Sequence, residues 1–283
     1  MHTLQAIQAL RDTLAEPRQR GQRIALVPTM GNLHAGHLAL IAHARKRADV
    51  VVASLFVNPL QFSPDDDFDA YPRTFAADQA ALANAGCDVL FAPKAQTLYP
   101  NGFDAPTQVH VPDVSEGLCG GSRPGHFDGV ATVVSMLFHL VAPTLACFGE
   151  KDYQQLAVIR KMVADLHLPI EIDGVPIARA DDGLALSSRN GYLSAEERAT
   201  APALYRTLCA MRERLKQGEN ADTVLSKGEQ ALQSAGFTPD YLALRDSRLN
   251  AVTAHTREAV LLAAAYLGPA RLIDNLTLDL PAS

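Results

Sequence analysis

The stretch Arg23-Ile24-Ala25-Leu26-Val27-Pro28-Thr29-Met30-Gly31-Asn32-Leu33-His34-Ala35-Gly36-His37 decides the fold. Residues 24–27 are apolar without alternation, as in a strand covered on both faces. A loop containing Gly31 and Gly36 follows, and from His37 to Arg47 the apolar spacing is helical. A doubly buried strand that turns at once into a helix is the opening unit of a parallel α/β sheet.

The same alternation continues outward. Residues 50–57 form a second β-branched run, residues 74–85 a second helical pattern ended by Gly86, and residues 88–91 a third strand. Past a stretch rich in Pro and Gly, the spacing predicts a helix over about 127–141, a strand through 145–148, a helix over 153–166 and a strand over 170–177. The prediction is therefore a Rossmann-like α/β domain with a doubly wound parallel sheet. Beyond it the character changes. Long helical patterns at 194–216 and 222–235 close near Gly218 and Gly236, and strand-like runs follow at 241–244, 259–266 and 271–273. Helices segregated from strands predict a smaller α+β domain, with the division expected at 1–178 and 179–283.

Composition narrows the function. The formal net charge of −6 argues against a nucleic-acid partner, which needs a basic face to displace counterions. With hydrophobic residues at 48%, 283 residues can bury a sizeable core, so no disulfide or metal staple is required for folding. Cys87, Cys119, Cys147 and Cys209 are widely spaced without a CxxC pair, and Cys87 and Cys147 lie in apolar runs where a thiol is most simply a small buried hydrophobe. No apolar stretch approaches the roughly 18–20 residues that span a bilayer. The first residues, Met1-His2-Thr3-Leu4-Gln5, lack a charged segment followed by an apolar one, so no secretion signal is expected. Cytoplasmic residence without a membrane partner is the expectation.

Four segments fall where such sheets bind ligands, beyond the carboxyl ends of strands. In residues 28–37, His34 and His37 are three apart and share a face on a helical turn, while Gly31 and Gly36 let a ligand approach the backbone. A helix N-terminus with two imidazoles suits phosphate. A metal pair completed by His43 is the alternative, but no further ligand is evident and no metal site is predicted. In Phe56-Val57-Asn58-Pro59-Leu60-Gln61-Phe62, Pro59 stops the strand, leaving the amides of Asn58 and Gln61 at the sheet's edge to meet hydroxyl and carboxylate groups. An ordinary Asn-Pro turn is the competing reading. Residues 63–73, with Asp65, Asp66, Asp67 and Asp69, read as a solvated loop rather than a lid.

In Gly149-Glu150-Lys151-Asp152-Tyr153-Gln154-Gln155, Lys151 offers a point cation to phosphate, Asp152 an acceptor for ribose hydroxyls or a helix cap, and Gln155 a partner for Gln61. Residues 181–190 carry Leu186, Ser187, Ser188 and Arg189, where two hydroxyls and a guanidinium could clamp a triphosphate or simply form a turn. A further segment, Arg123-Pro124-Gly125-His126-Phe127-Asp128-Gly129, reads as a loop entering a helix without an evident role.

Together, PTMGNLHAGH, FVNPLQF, RPGHFDG, FGEKDYQQL and DGLALSSRN resemble the pantoate–β-alanine ligase family in order and spacing, over essentially the whole chain. The first and last are similar to the two nucleotide signatures of the wider HxGH nucleotidylyltransferase superfamily, with Arg189 where lysine is often found. The resemblance implies ATP, with Mg2+, and pantoate and β-alanine as substrates, joined through pantoyl adenylate to pantothenate with release of AMP and pyrophosphate. It implies an ATP site of Met30, Gly31, His34, Gly36, His37, Gly149, Lys151, Asp152, Leu186, Ser187, Ser188 and Arg189. Of these, His34, His37, Lys151 and Arg189 would stabilise charge at the phosphates. Gln61, Gln155 and Asn58 would hold the organic substrates, and a homodimer is implied. Competing readings are a nucleotidylyltransferase that stops after nucleotide transfer to a phosphate ester, and a nucleotide sensor without turnover.

Overall fold

The computed structural model describes residues 1–63, 66 and 68–281. Two units are present. The first takes in residues 1–150 and 154–176, and the second residues 151–153 and 177–283. In chain order the first runs β1 (His2–Leu4), α1 (Ile7–Gln19), β2 (Ile24–Thr29), α2 (Ala35–Arg47), β3 (Val50–Leu55), α3 (Phe75–Asn84), β4 (Val89–Phe91), α4 (Ala95–Leu98), α5 (Leu118–Ser122), α6 (His126–Val141), β5 (Leu145–Gly149), α7 (Tyr153–Asp165) and β6 (Glu171–Val175).

Among the described residues the six strands pair in parallel in the order β1-β4-β3-β2-β5-β6. This is the doubly wound α/β sheet that the alternation predicts. After β2 the chain lays β3 and β4 to one side, then returns to place β5 and β6 on the other. The reversal between β2 and β5 is the switch point, where the carboxyl ends of neighbouring strands splay apart to leave a crevice.

Burial on both faces explains the unbroken apolar runs. Ala25 and Val27 pack with Leu40, Ile41 and Ala44 of α2. The pleat turns Ile24 and Leu26, equally buried, to the opposite face, where α6 lies on β2. Helix α6 is itself buried along most of its length, including His126, Phe127, Val130, Val134 and Phe138. It also lies against the 3-10 turn Pro59–Gln61 that follows β3. A Cβ on Gly129 would stand 2.3 Å from the Leu60 carbonyl oxygen, so only glycine permits this approach.

The second unit contains α8 (Ala195–Thr200), α9 (Ala203–Lys216), α10 (Ala221–Ser234) and an antiparallel sheet of β7 (Thr238–Asp246), β8 (Glu258–Leu267) and β9 (Ala270–Asp279). Leu204, Leu208 and Met211 of α9 and Val224 and Leu232 of α10 share one core with Leu244, Leu261 and Ala263 of the sheet.

Two expectations are corrected, and one strand is added. The single helix read over 194–216 is two, because Pro202 has no N–H to continue the ladder; α8 ends at Thr200 and α9 starts at Ala203. The strands read at 241–244 and 271–273 extend to nine and ten residues, the second of them through buried Asp274 and Asn275 that interrupt its apolar pattern. Strand β1 has no pattern of its own at three residues and exists by pairing with β4.

Gly129→Ala is expected to cost about 1–3 kcal/mol in urea denaturation, through overpacking against Leu60. Gly121→Ala, where a Cβ meets nothing within 4 Å, should stay within about 0.5 kcal/mol of the parent.

Candidate active site

Residues 30–34 carry the chain from β2 into α2. Gly31 (φ 89°) and Asn32 (φ 50°) are successive left-handed residues, which turns their following N–H groups inward. These groups converge on Asp78 of α3, whose side chain is buried. Oδ1 accepts from the Leu33 N–H at 2.8 Å, and Oδ2 from the Asn32 N–H at 2.9 Å and the Thr74 hydroxyl at 3.0 Å. Sequence reasoning missed Asp78; its only signal is an acid within the helical pattern 74–85.

His34 is the N-cap of α2. Its Nδ1 accepts from the Gly36 N–H at 3.1 Å, and the His37 Nδ1 accepts in turn from the His34 N–H at 3.3 Å. In this reciprocal box both rings act as acceptors at Nδ1, so in their neutral form each carries its proton on Nε2. The rings lie 4.1 Å apart between centroids. The result is a pair of adjacent Nε2–H donors at the positive end of a helix dipole, a setting suited to phosphate oxygens. The two histidines predicted to share a face are thus brought together, His34 as cap and His37 within the first turn.

After β3, Asn58 is buried with its amide committed on both sides. Nδ2 donates to the Gly129 carbonyl at 3.0 Å, and Oδ1 accepts from the Tyr99 hydroxyl at 2.9 Å. Burial pushes that hydroxyl up to about 12, so it remains a donor. Gln61 sends Nε2 toward the Met30 sulfur at 2.9 Å, joining the loops that follow β2 and β3. Its backbone carbonyl accepts from His126 Nδ1 at 2.7 Å and from Arg123 Nη2 at 3.3 Å, and Arg123 also grips Asp66 at 2.9 Å. The segment 123–129, without an evident role in the sequence, is thus the buttress of Gln61.

Described residues of the acidic segment make contacts of their own. Asp66 pairs with Arg123, and Phe62 makes edge contacts with Phe68 and Tyr71. Asp65 and Asp67 lie outside the described residues. Burial of Asp66 would raise its carboxyl, but the Ser63 N–H and the Arg123 guanidinium outweigh it and hold the group below the usual carboxylate range.

At the end of β5, Gly149 leads into a 3-10 turn, Glu150–Asp152, and then α7. Gln155 stands half-buried in the first turn of α7. Its neighbour Gln154 is buried and pins the 114–119 segment, donating to the carbonyls of Val114, Glu116 and Gly117 and accepting from the Cys119 N–H. Lys151 and Asp152 belong to the second unit. Lys151 Nζ lies 3.3 Å from both Asp152 oxygens, and its backbone carbonyl accepts from Asn275 of β9 at 3.0 Å.

In that unit residues 179–185 form a tight hairpin whose strands bridge Arg179 and Ala185. Arg179 pairs with buried Asp274 at 2.6 and 2.8 Å and stacks 3.8 Å over the Tyr205 ring. Beyond the hairpin, the Ser187 hydroxyl caps the turn Ser188–Tyr192 by accepting from the Arg189 N–H at 3.3 Å. Leu186, Ser187, Ser188 and Arg189 are half-buried along this turn.

A family model described as pantoate-beta-alanine ligase matches residues 2–277. The chain belongs to the pantoate-beta-alanine ligase family. It is therefore an enzyme, a ligase. It is 63% identical to the pantothenate synthetase of Chromohalobacter salexigens over 99% of this chain and 100% of that one. Identity is 58% to the pantothenate synthetase of Pseudomonas aeruginosa strain PAO1, with the same coverage. Among solved structures, a pantothenate synthetase from Thermus thermophilus superposes with a TM-score of 0.92 at 49% identity, covering 98% of this chain and 99% of its own. The Francisella tularensis pantoate-beta-alanine ligase, solved with beta-gamma ATP and beta-alanine, superposes with a TM-score of 0.81 at 33% identity over 98% and 97%. The resemblance read from the motifs is borne out over the whole chain.

One cluster among the described residues has metal-ligand types within reach of each other, His43, Cys147 and Asp173, with donor atoms inside 4.8 Å. Arg47 joins the same cluster. Arg47 contacts at 2.7 Å the same Asp173 oxygen that His43 meets at 2.8 Å. Burial meanwhile pushes the Cys147 thiol up to about 12, leaving it protonated. Cys87 is buried likewise and pushed up to about 11.

Because the folded carboxyl of Asp66 titrates lower than an unfolded one, its contribution is complete above the unfolded value of about 3.9 and is lost as pH falls through the folded value. Asp66→Asn should therefore lower stability near neutrality by up to about 1 kcal/mol, with the difference closing in acid. Denaturant titrations of both proteins across pH check this; a pH-independent gap would contradict it.

Proposed function

We propose that this ligase condenses (R)-pantoate with β-alanine in two steps on one nucleotide. In the first, a pantoate carboxylate oxygen bonds to the α-phosphorus of Mg-ATP. The bond from that phosphorus to the bridging oxygen breaks, and pyrophosphate leaves with the electron pair. In the second, the β-alanine amine attacks the acyl carbon of pantoyl adenylate, the acyl–oxygen bond breaks, and AMP departs. The amine proton lost on forming pantothenate goes to solvent or to the leaving phosphate.

The observation that supports this reading most is the imidazole pair at the N-terminus of α2, on the carboxyl side of β2 where the sheet order reverses. Two Nε2–H donors and a helix dipole can offset charge that builds on phosphate oxygens as pyrophosphate leaves. The substrate's own carboxylate is the nucleophile, so no side-chain nucleophile is needed. Catalysis then comes from alignment and fixed charge. Met30, Gly31, His34, Gly36, His37 and Gly149 would contact the nucleotide. Lys151, Asp152, Leu186, Ser187, Ser188 and Arg189 are assigned to it by the family resemblance, the last three as a Ser-Ser-Arg clamp.

Gln61 and Gln155 would hold pantoate by its hydroxyl and carboxylate groups. Asn58, with its amide already bonded to Gly129 and Tyr99, would serve the organic substrates mainly by fixing the turn that carries Gln61. The Francisella tularensis relative, solved with beta-gamma ATP and beta-alanine, supports the choice of substrates. Water must be kept from the mixed anhydride until the amine arrives. Cytoplasmic residence and a homodimer belong to the same reading by family resemblance. Among the described residues no helix is long and apolar enough to cross a membrane.

Incubation with ATP, pantoate and β-alanine is expected to give AMP, pyrophosphate and pantothenate in equal amounts, and the absence of pantothenate would refute the reading. Lys151→Ala is expected to reduce turnover about 10²-fold, as loss of a charge-stabilising donor does. Near-normal turnover would remove Lys151 from that role.

A further inference from the structure

We propose that Asp78 is a positioning residue for the nucleotide-activating step, setting through the 30–34 loop where Met30, His34 and His37 stand. The inference rests on the reading above that these residues meet ATP.

A buried carboxylate must find donors, and the partners of Asp78 are telling. Two are consecutive backbone N–H groups of the loop, one on each oxygen, and the third is the Thr74 hydroxyl at the start of its own helix. The loop is folded around the anion. Its left-handed pair, Gly31 and Asn32, is the conformation that brings successive N–H groups to bear on one acceptor. The fit is close: a Cβ on Gly31 would stand 3.0 Å from Asp78 Oδ2 and 3.4 Å from Leu55. Loop shape and carboxylate therefore determine one another.

The consequence passes along the backbone. Leu33, held by Asp78, precedes His34, whose extended conformation (φ −130°, ψ 176°) allows the reciprocal cap with Gly36 and His37. Releasing the Leu33 peptide frees the cap residue to rotate and carries both imidazoles with it. Met30, at the other end of the loop, is the sulfur partner of Gln61. A misplacement of about 1 Å in such a constellation can cost on the order of 10²-fold in rate. Asparagine cannot substitute, because its single amide oxygen serves only one of the two N–H groups and its NH2 confronts the other.

The test separates the two steps. ATP–pyrophosphate exchange in the presence of pantoate reads adenylate formation, and pantothenate release from synthetic pantoyl adenylate with β-alanine reads amide formation. For Asp78→Asn, kcat/KM for ATP in exchange is expected to fall about 10²-fold while amide formation changes far less. Thr74→Val should move exchange in the same direction by a smaller factor. Gly31→Ala should match Asp78→Asn, and the double variant should be little worse than either, since both disturb one loop. Equal loss in both steps would make Asp78 a scaffold residue and overturn the proposal, as would unchanged exchange. Should Asp78→Asn fail to fold, Thr74→Val and Gly31→Ala decide by the same ratio. A wild-type protein without exchange would overturn the adenylate reading and this proposal with it. A wild type with exchange and an indifferent Asp78→Asn would overturn the role of Asp78 alone.

Discussion

The first unit is organised around a demand made at the end of β2. A strand buried on both faces must turn into a helix within residues 30–34. The N–H groups of Asn32 and Leu33 donate to an acceptor outside the turn rather than to its own carbonyls. Asp78 supplies it from α3, and the left-handed Gly31 and Asn32 aim their neighbours' N–H groups at it. With the backbone satisfied from below, His34 and His37 can complete each other's cap. An ordinary Ser or Asp cap would do the same for the helix but would leave no pair of Nε2–H donors.

A second layer of support explains why α6 is so deeply buried. It carries His126 and Gly129, which hold the turn after β3 from behind: Gly129 by closeness to Leu60, His126 by its bond to the Gln61 carbonyl. Arg123, just before the helix, ties that carbonyl to Asp66. The Gln61 side chain is thereby left to project toward Met30. Rigid backing of this kind is what lets a site work by alignment, since each side chain must be held against thermal displacement before substrate arrives.

The second unit applies the same logic with different chemistry. Asp274 and Asn275 are neighbours in β9, and both are buried. Asp274 receives the Arg179 guanidinium through two bonds and so fixes the hairpin that precedes Ser187. Asn275 holds the Lys151 carbonyl. A polar pair buried inside a strand is costly unless its groups are bonded, and here those bonds hold the 179–185 hairpin and the Lys151 backbone. The strand looked broken in sequence for the same reason: the residues that interrupt its apolar pattern are the ones that anchor other segments.

The sequence by itself determined the parallel α/β class, the family, and the segments from which a site could be drawn. Periodicity and local motifs are properties of neighbouring residues, and residues 24–37 carry both within one stretch. Only the tertiary structure decided that Asp78 shapes the loop after β2, that residues 123–129 back Gln61, and that Asn275 holds Lys151. These partners are 45 to 124 positions apart. An isolated Asp in a helical pattern or an Asn in a strand looks the same whether it is solvated or buried. What distinguishes them is a burial penalty that must be met by particular donors, and which donors those are is settled only when the chain has closed on itself.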